Sequence, residues 1–275
     1  MIFNVRTWTR MRAPVAATLL AIFMAPSLAV GQSVEESDFD EIQGDETPGS
    51  DSEQPGIDDL AAVSDSIRRA TNSFRESEDL AAVSANASLS EAAGEFAKYM
   101  AERDVYGHNA DGKRPSQRAQ ESGYDYCVVL ENIAYQYRST GFTPEELAKR
   151  FFEGWQESPG HRRNMLDPDV TETGVGIARS ESTGHYYAVQ MFGRPRSAAV
   201  SFQIKNQSSQ EAAYRVGDQE FTLPPRYSRT HRRCRQAELD FVDDEDSGES
   251  PVVPEEGDRF IMRPSEGERI LVERE

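Results

Sequence analysis

Few side chains in this sequence are equipped for chemistry near neutral pH, and they are widely spaced. Among the four histidines, His108 stands in Tyr106-Gly107-His108-Asn109 and His161 in Ser158-Pro159-Gly160-His161-Arg162-Arg163-Asn164. Each lies at the margin of a segment with helical spacing. Imidazole carries protons and binds metals, but a single histidine is as readily a hydrogen-bonded structural ring. Glu131, in Leu130-Glu131-Asn132-Ile133-Ala134, is an acid set directly after apolar residues. On its own it reads as a catalytic carboxylate, an N-cap partner or a buried salt-bridge acid. No His-Glu-x-x-His pair shares a helix, and no Gly-x-Ser-x-Gly elbow surrounds Ser158, so neither a metalloprotease helix nor serine catalysis is indicated. Cys127 and Cys234 are too few for a thiolate zinc site.

Such scattered groups can meet only if the elements between them fold in one way. Leu60, Val63, Ile67, Ala70 and Phe74 recur at three-and-four spacing and predict a first helix over 60–75. Ser88 to Glu91 has the form of a capping box, followed by Ala92, Ala93, Phe96, Ala97, Met100 and Ala101 on one stripe of a second helix leading to His108. A third starts at Thr143, with Pro144 at its first position and Glu146 closing the box, and turns Leu147, Ala148, Phe151, Phe152 and Trp155 inward before Ser158-Pro159-Gly160 stops it. Trp155 is therefore expected in the core. Strand signals follow at 174–178 and 186–192, so helices precede strands, which favours an α+β sandwich over an alternating parallel fold.

From about residue 198 the pattern changes to two-residue spacing in polar surroundings, as in Phe202, Ile204, Tyr214, Val216, Phe221 and Leu223. Residues 198–275 read as a small all-β appendage, with an acidic, proline-containing loop at 243–258. Its Pro224 to Arg235 stretch, which includes Arg226, Arg229, His231, Arg232 and Arg233, is the one dense basic run. It is either a solvated strand face paired with acids or a patch for an anionic envelope polymer.

The N-terminus has Arg6, Arg10 and Arg12 before an apolar core at 15–24 and small residues at 27–31, the layout of a secretory signal peptide over 1–31. No stretch is long enough for a membrane helix. The formal net charge is -18, and without the three arginines of 1–31 it becomes -21, which argues against a nucleic-acid partner. Eleven of the acids fall between Glu35 and Asp59 with no Lys or Arg among them, so 32–59 reads as a disordered acidic tether. For an exported chain with two cysteines, one Cys127–Cys234 disulfide is favoured over two free thiols. Such a bridge would clamp the β appendage beside Glu131 and carry the basic run toward it.

The order and spacing of several motifs resemble the bacterial branch of the CAP, or SCP-like, family. They are residues 72–75, Phe96 to Met100 leading to His108, Asn109 to Pro115, Glu131 to Ala134, Trp155 with Ser158 to Asn164, and Gly174-Val175-Gly176. The resemblance covers about 60–195 and implies an α-β-α sandwich over 60–197 with a central cleft. In eukaryotic relatives that cleft holds two histidines and two glutamates, and in some members a divalent ion such as zinc. Carried over, the cleft tetrad would be His108, Glu131, His161 and a fourth residue at Glu157 or Ser158; His185 falls outside it. At 100° per residue Glu157 points away from the Phe151 and Trp155 stripe unless the helix unwinds first. His108, His161 and Glu131 would form the ligand set of an open zinc site, with Glu131 as ligand or general base. The function expected is an exported, secreted or periplasmic, non-enzymatic binder of an apolar small molecule or cell-envelope component. The alternatives are a metal-assisted hydrolase of a peptide or envelope polymer, and a purely structural module.

Overall fold

The computed structural model describes residues 57, 59–241, 251–264 and 270–275. The expected signal peptide at 1–31, all of the 32–59 tether but Ile57 and Asp59, and the 243–250 part of the acidic loop lie outside them.

The first helix, α1 (Leu60–Ser77), is opened by Asp59, whose carboxylate accepts from the Ala62 N–H at 2.9 Å. It buries Val63, Ile67 and Phe74. Helix α2 (Ala87–Arg103) starts earlier than the Ser88 box indicates, because Asn86 is the cap and accepts from the Leu89 N–H at 3.1 Å. Asn caps as well as Ser, and the Asn86 amide also donates to Glu172 at 3.2 Å, tying the helix start to the sheet. Helix α3 (Pro115–Glu121) has no counterpart among the sequence expectations. In α4 (Pro144–Glu157) the reciprocal bonds of the Thr143 and Glu146 box are both present. Pro159 then ends α4, since it has no N–H to continue the ladder, and its fixed φ opens α5 (Pro159–Met165).

Four strands, β1 (Ser84–Ala85), β2 (Tyr126–Gln136), β3 (Glu172–Arg179) and β4 (Tyr186–Pro195), form one sheet in the order β1-β3-β4-β2. Only the β1–β3 pairing is parallel. Period-two alternation along β4 sends Tyr186, Ala188 and Phe192 into a core with α1 and α4, and Tyr187, Val189 and Met191 into a second core with α2. The fold is thus α+β, with helices on both faces of the sheet. At Gly174 and Gly176 a methyl group would lie 2.2 Å from the α2 backbone, so strand and helix touch main chain to main chain.

A separate core of Phe202, Ile204, Tyr214, Val216, Leu223, Leu239, Phe260 and Met262 builds the C-terminal unit. Its strands are β5 (Val200–Asn206), β6 (Ala212–Val216), β7 (Gln219–Leu223), β8 (Ser228–Arg233), β9 (Leu239–Phe241), β10 (Arg259–Pro264) and β11 (Ile270–Arg274). They form two sheets, β11-β10-β5-β8 and β7-β6-β9.

Cys127 and Cys234 are joined, with Cα atoms 5.1 Å apart, and the bridge fixes this unit to β2. Beside it Arg235 pairs with Asp167 at 2.8 Å and Asp169 at 3.0 Å, and the Gln236 N–H donates to Asp169. Arg232 donates to the Arg196 carbonyl, Arg233 to Gln219, and Arg229 lies over the Phe221 ring. A bridge closing a 107-residue separation constrains the unfolded chain strongly. Reduction should cost about 2–4 kcal/mol, read as a lowered urea midpoint with dithiothreitol. An unchanged midpoint would mean that the Arg235 contacts alone hold the units together.

Candidate functional site

The site grows from the edge position of β2, whose outer side has no neighbouring strand among the described residues. Edge carbonyls need other partners. Here Asn164 Nδ2 donates to the Glu131 carbonyl at 3.1 Å, and Trp155 Nε1 and the Tyr106 hydroxyl donate to the Ile133 carbonyl at 3.0 and 3.2 Å. The Asn132 amide donates to the His161 carbonyl at 3.2 Å and its oxygen accepts from Asn164 at 2.9 Å. These contacts seat α5, and with it His161, against the strand that carries Glu131. The loop after α2 brings His108 to the same strand.

Glu131 is 5 % exposed and is the hub of this group. His108 Nδ1 donates to its Oε1 at 2.7 Å. Arg118 Nη2, from α3, donates to Oε1 at 2.9 Å and Oε2 at 2.7 Å. The same guanidinium donates to Asp111 at 2.8 Å and to the carbonyls of Lys113 and His108 at 3.0 and 2.9 Å. Its Cζ lies 3.6 Å from the Phe96 ring centroid, in cation–π geometry.

His161 is 4 % exposed, and both of its ring nitrogens are buried without a hydrogen-bond partner among the described residues. Burial, with a smaller push from nearby His108, lowers its pKa to about 4. The ring is therefore neutral at physiological pH.

His108, Glu131 and His161 thus gather along one edge of β2. Glu157 does not join them. Helix α4 keeps its turn through Glu157, which places that side chain in solvent, and Ser158 occupies the bend between α4 and α5 with no side-chain capping bond. His185 sits instead among Tyr135, Tyr137 and Tyr187, its ring centroid 5.6, 5.0 and 6.4 Å from theirs. Trp155 is fully buried, stacked on Phe151 at 6.0 Å.

The expectations from sequence did not include Arg118, nor the contacts of Asp111, Asn132 and Asn164. A faint signal existed in Pro115, which opens a helix-compatible run just after His108. Arg, however, reads as a surface residue.

A zinc ion held by His108, Glu131 and His161 does not fit this arrangement. Both Glu131 oxygens already accept from a guanidinium, and among the described residues no group of three or more His, Cys, Asp or Glu is placed to hold a metal ion.

His231 in the β unit shares the behaviour of His161. Its Nε2 is 2.9 Å from the Tyr214 hydroxyl, and burial, then Arg229 and Arg233, lower its pKa to about 4. In the unfolded chain both histidines take a proton near their ordinary value of 6.5. Between those values the unfolded state binds more protons, so stability is full above about pH 6.5, declines as pH drops from there to about 4, and levels off below. Each shift corresponds to at most about 3 kcal/mol. Thermal melts from pH 7.5 to 4.5 should show a shallower decline in His161→Asn and in His231→Asn than in the parent. Equal slopes would refute the neutral assignment.

Among known proteins, the family model described as CAP, the cysteine-rich secretory protein family, matches residues 68–192. Uncharacterized protein YkwD of Bacillus subtilis is 28% identical over 136 residues, 49% of each chain. Uncharacterized membrane protein YlbC of the same organism is 30% identical over 118 residues, 42% of this chain and 32% of that protein. The chain therefore spans half or less of the curated relatives it matches. Among solved structures, an outer surface protein of Borrelia burgdorferi aligns with TM-score 0.44 and 19% identity, over 50% of this chain and 96% of that one. An extracellular SCP-domain protein of Bacillus anthracis aligns with TM-score 0.41 and 24% identity, over 49% and 41%.

Proposed function

We propose that this chain, whose residues 68–192 match the CAP family model, is an exported, secreted or periplasmic, non-enzymatic binder of a cell-envelope component or apolar small molecule. His161 is the observation that carries the reading. Around it Glu131, His108, Asn132, Asn164 and the two terminal nitrogens of Arg118 satisfy one another, while its own two nitrogens are buried without partners among the described residues. Leaving buried polar atoms unpaired is costly, so a ligand that pairs them gains free energy. A neutral imidazole offers one N–H and one lone pair, which suits a hydroxyl or amide group. Envelope glycans and peptides are rich in both.

The apolar alternative has its own support in a shallow groove between α1 and α4, lined by Ser66, Ala70, Glu145, Ala148, Lys149 and Phe152. The metal-assisted hydrolase reading needs Glu131 as a free ligand or base, and its engagement with Arg118 gives that reading no supporting contact.

The test is titration with a muramyl dipeptide, followed through the imidazole nitrogen resonances, and with the fluorescent fatty acid cis-parinaric acid. Muramyl dipeptide should shift the His161 resonances and lose its binding in His161→Phe. Parinarate binding unaffected by His161→Phe would assign the ligand to the groove. Binding of neither probe, or hydrolysis of the dipeptide, would overturn the proposal.

A further inference from the structure

We propose that Arg118 is the resident cation of this site: it does for Glu131 and His108 what a bound divalent ion would do, and it excludes such an ion.

The geometry behind it is specific. Glu131 carries a carboxylate into a position whose side chain is 1% exposed, where an uncompensated charge is strongly disfavoured. A permanent counter-charge is required there, and the Arg118 side chain, itself 5% exposed, supplies it. One nitrogen, Nη2, bonds both Glu131 oxygens, and the same nitrogen takes the main-chain carbonyl of His108. The other terminal nitrogen is held by Asp111 and the Lys113 carbonyl. Arg118 therefore positions both halves of the His108–Glu131 pair, the acid through its side chain and the histidine through its backbone.

Two properties make this cation unlike a metal. Guanidinium stays protonated at any physiological pH, so it cannot be stripped by a chelator or lost by titration. It also stacks on the Phe96 ring of α2, so its position is fixed by packing as well as by hydrogen bonds. A divalent ion ligated by Glu131 would lie within a few ångströms of this positive charge, in a site sheltered from solvent screening, and would have to displace hydrogen bonds already made. With Glu131 engaged, the remaining imidazoles fall short of the three protein ligands of an open zinc site.

The experiment uses mature protein without a histidine tag, titrated with zinc chloride at pH 7.5 by calorimetry. Its companions are Arg118→Gln, Arg118→Lys and His161→Ala, each checked for folding by circular dichroism. The parent and Arg118→Lys, both keeping the charge, should bind zinc at least 10-fold more weakly than Arg118→Gln. The parent's melting temperature should not respond to EDTA. A stoichiometric zinc ion in the parent that disappears in His161→Ala would overturn the proposal, as would a melting temperature lowered by EDTA. So would equal zinc affinities in the parent and a folded Arg118→Gln. Should Arg118→Gln fail to fold, the parent's zinc titration and EDTA response decide the matter alone.

Discussion

Trp155→Ala loses about 3–5 kcal/mol of stability, the range for truncating a large aromatic side chain in a packed core. Trp155 is wholly buried and stacked on Phe151, so the cavity opens between α4 and the sheet where neighbours cannot collapse without moving a helix. A second loss comes from Nε1, which donates to the Ile133 carbonyl on the outer edge of β2. The two contributions separate in Trp155→Phe, which keeps most of the volume and discards the donor. That variant should cost about 1 kcal/mol for the bond and a further small amount for the missing ring, well short of the alanine variant. Urea unfolding of the three proteins checks the series. A near-neutral Trp155→Ala would mean that Trp155 does not belong to the core stripe of α4.

Arg118→Met should be as damaging, at about 3–5 kcal/mol, because it strands a buried carboxylate. The damage comes from the partner left behind: Glu131 is 1% and Asp111 11% exposed at the side chain, and both lose their counter-charge. Replacing both members of a buried pair with apolar groups removes that penalty, so Arg118→Met combined with Glu131→Leu should be more stable than Arg118→Met alone. The cycle of single and double variants should return a favourable coupling of at least about 1 kcal/mol. Additive effects would show that the pair is not coupled in solution. Lys at position 118 should fall between the parent and Met, since a point charge cannot serve Glu131, Asp111 and two carbonyls in one plane.

The elements were easier to foresee than the site. Helix α4 was legible because its start is written in adjacent residues, Thr143, Pro144 and Glu146, and its buried face in the four-residue steps Leu147, Phe151 and Trp155. The α2 stripe was equally clear, but its first turn was not: two good caps, Asn86 and Ser88, stand two residues apart, and what favours the first is a bond to Glu172, far along the chain. The Cys127–Cys234 bridge followed from a count of two and an expected oxidising compartment. Arg118 was invisible for the opposite reason. Nothing local distinguishes an arginine that will be buried from one in solvent, since the acid that draws it inward is 13 residues away on another element. The two-residue strand β1 left no periodic trace at all.

The Cys127–Cys234 bond also changes how the molecule carries load. Tension applied between its N-terminal and C-terminal ends would pass along the backbone to Cys127, cross the sulfur bridge and leave from Cys234, bypassing the 107-residue separation between them. Glu131, His161, Trp155 and strands β3 and β4 lie inside that bypassed loop, so a pull on the chain reaches them only through packing and hydrogen bonds. A single backbone cut within the loop would likewise leave the two flanking parts covalently joined. For a protein proposed to work outside the cell, among proteases and shear, the part of the site that carries Glu131 and His161 is mechanically sheltered. His108 and Arg118, which lie before Cys127, are on the load-bearing side.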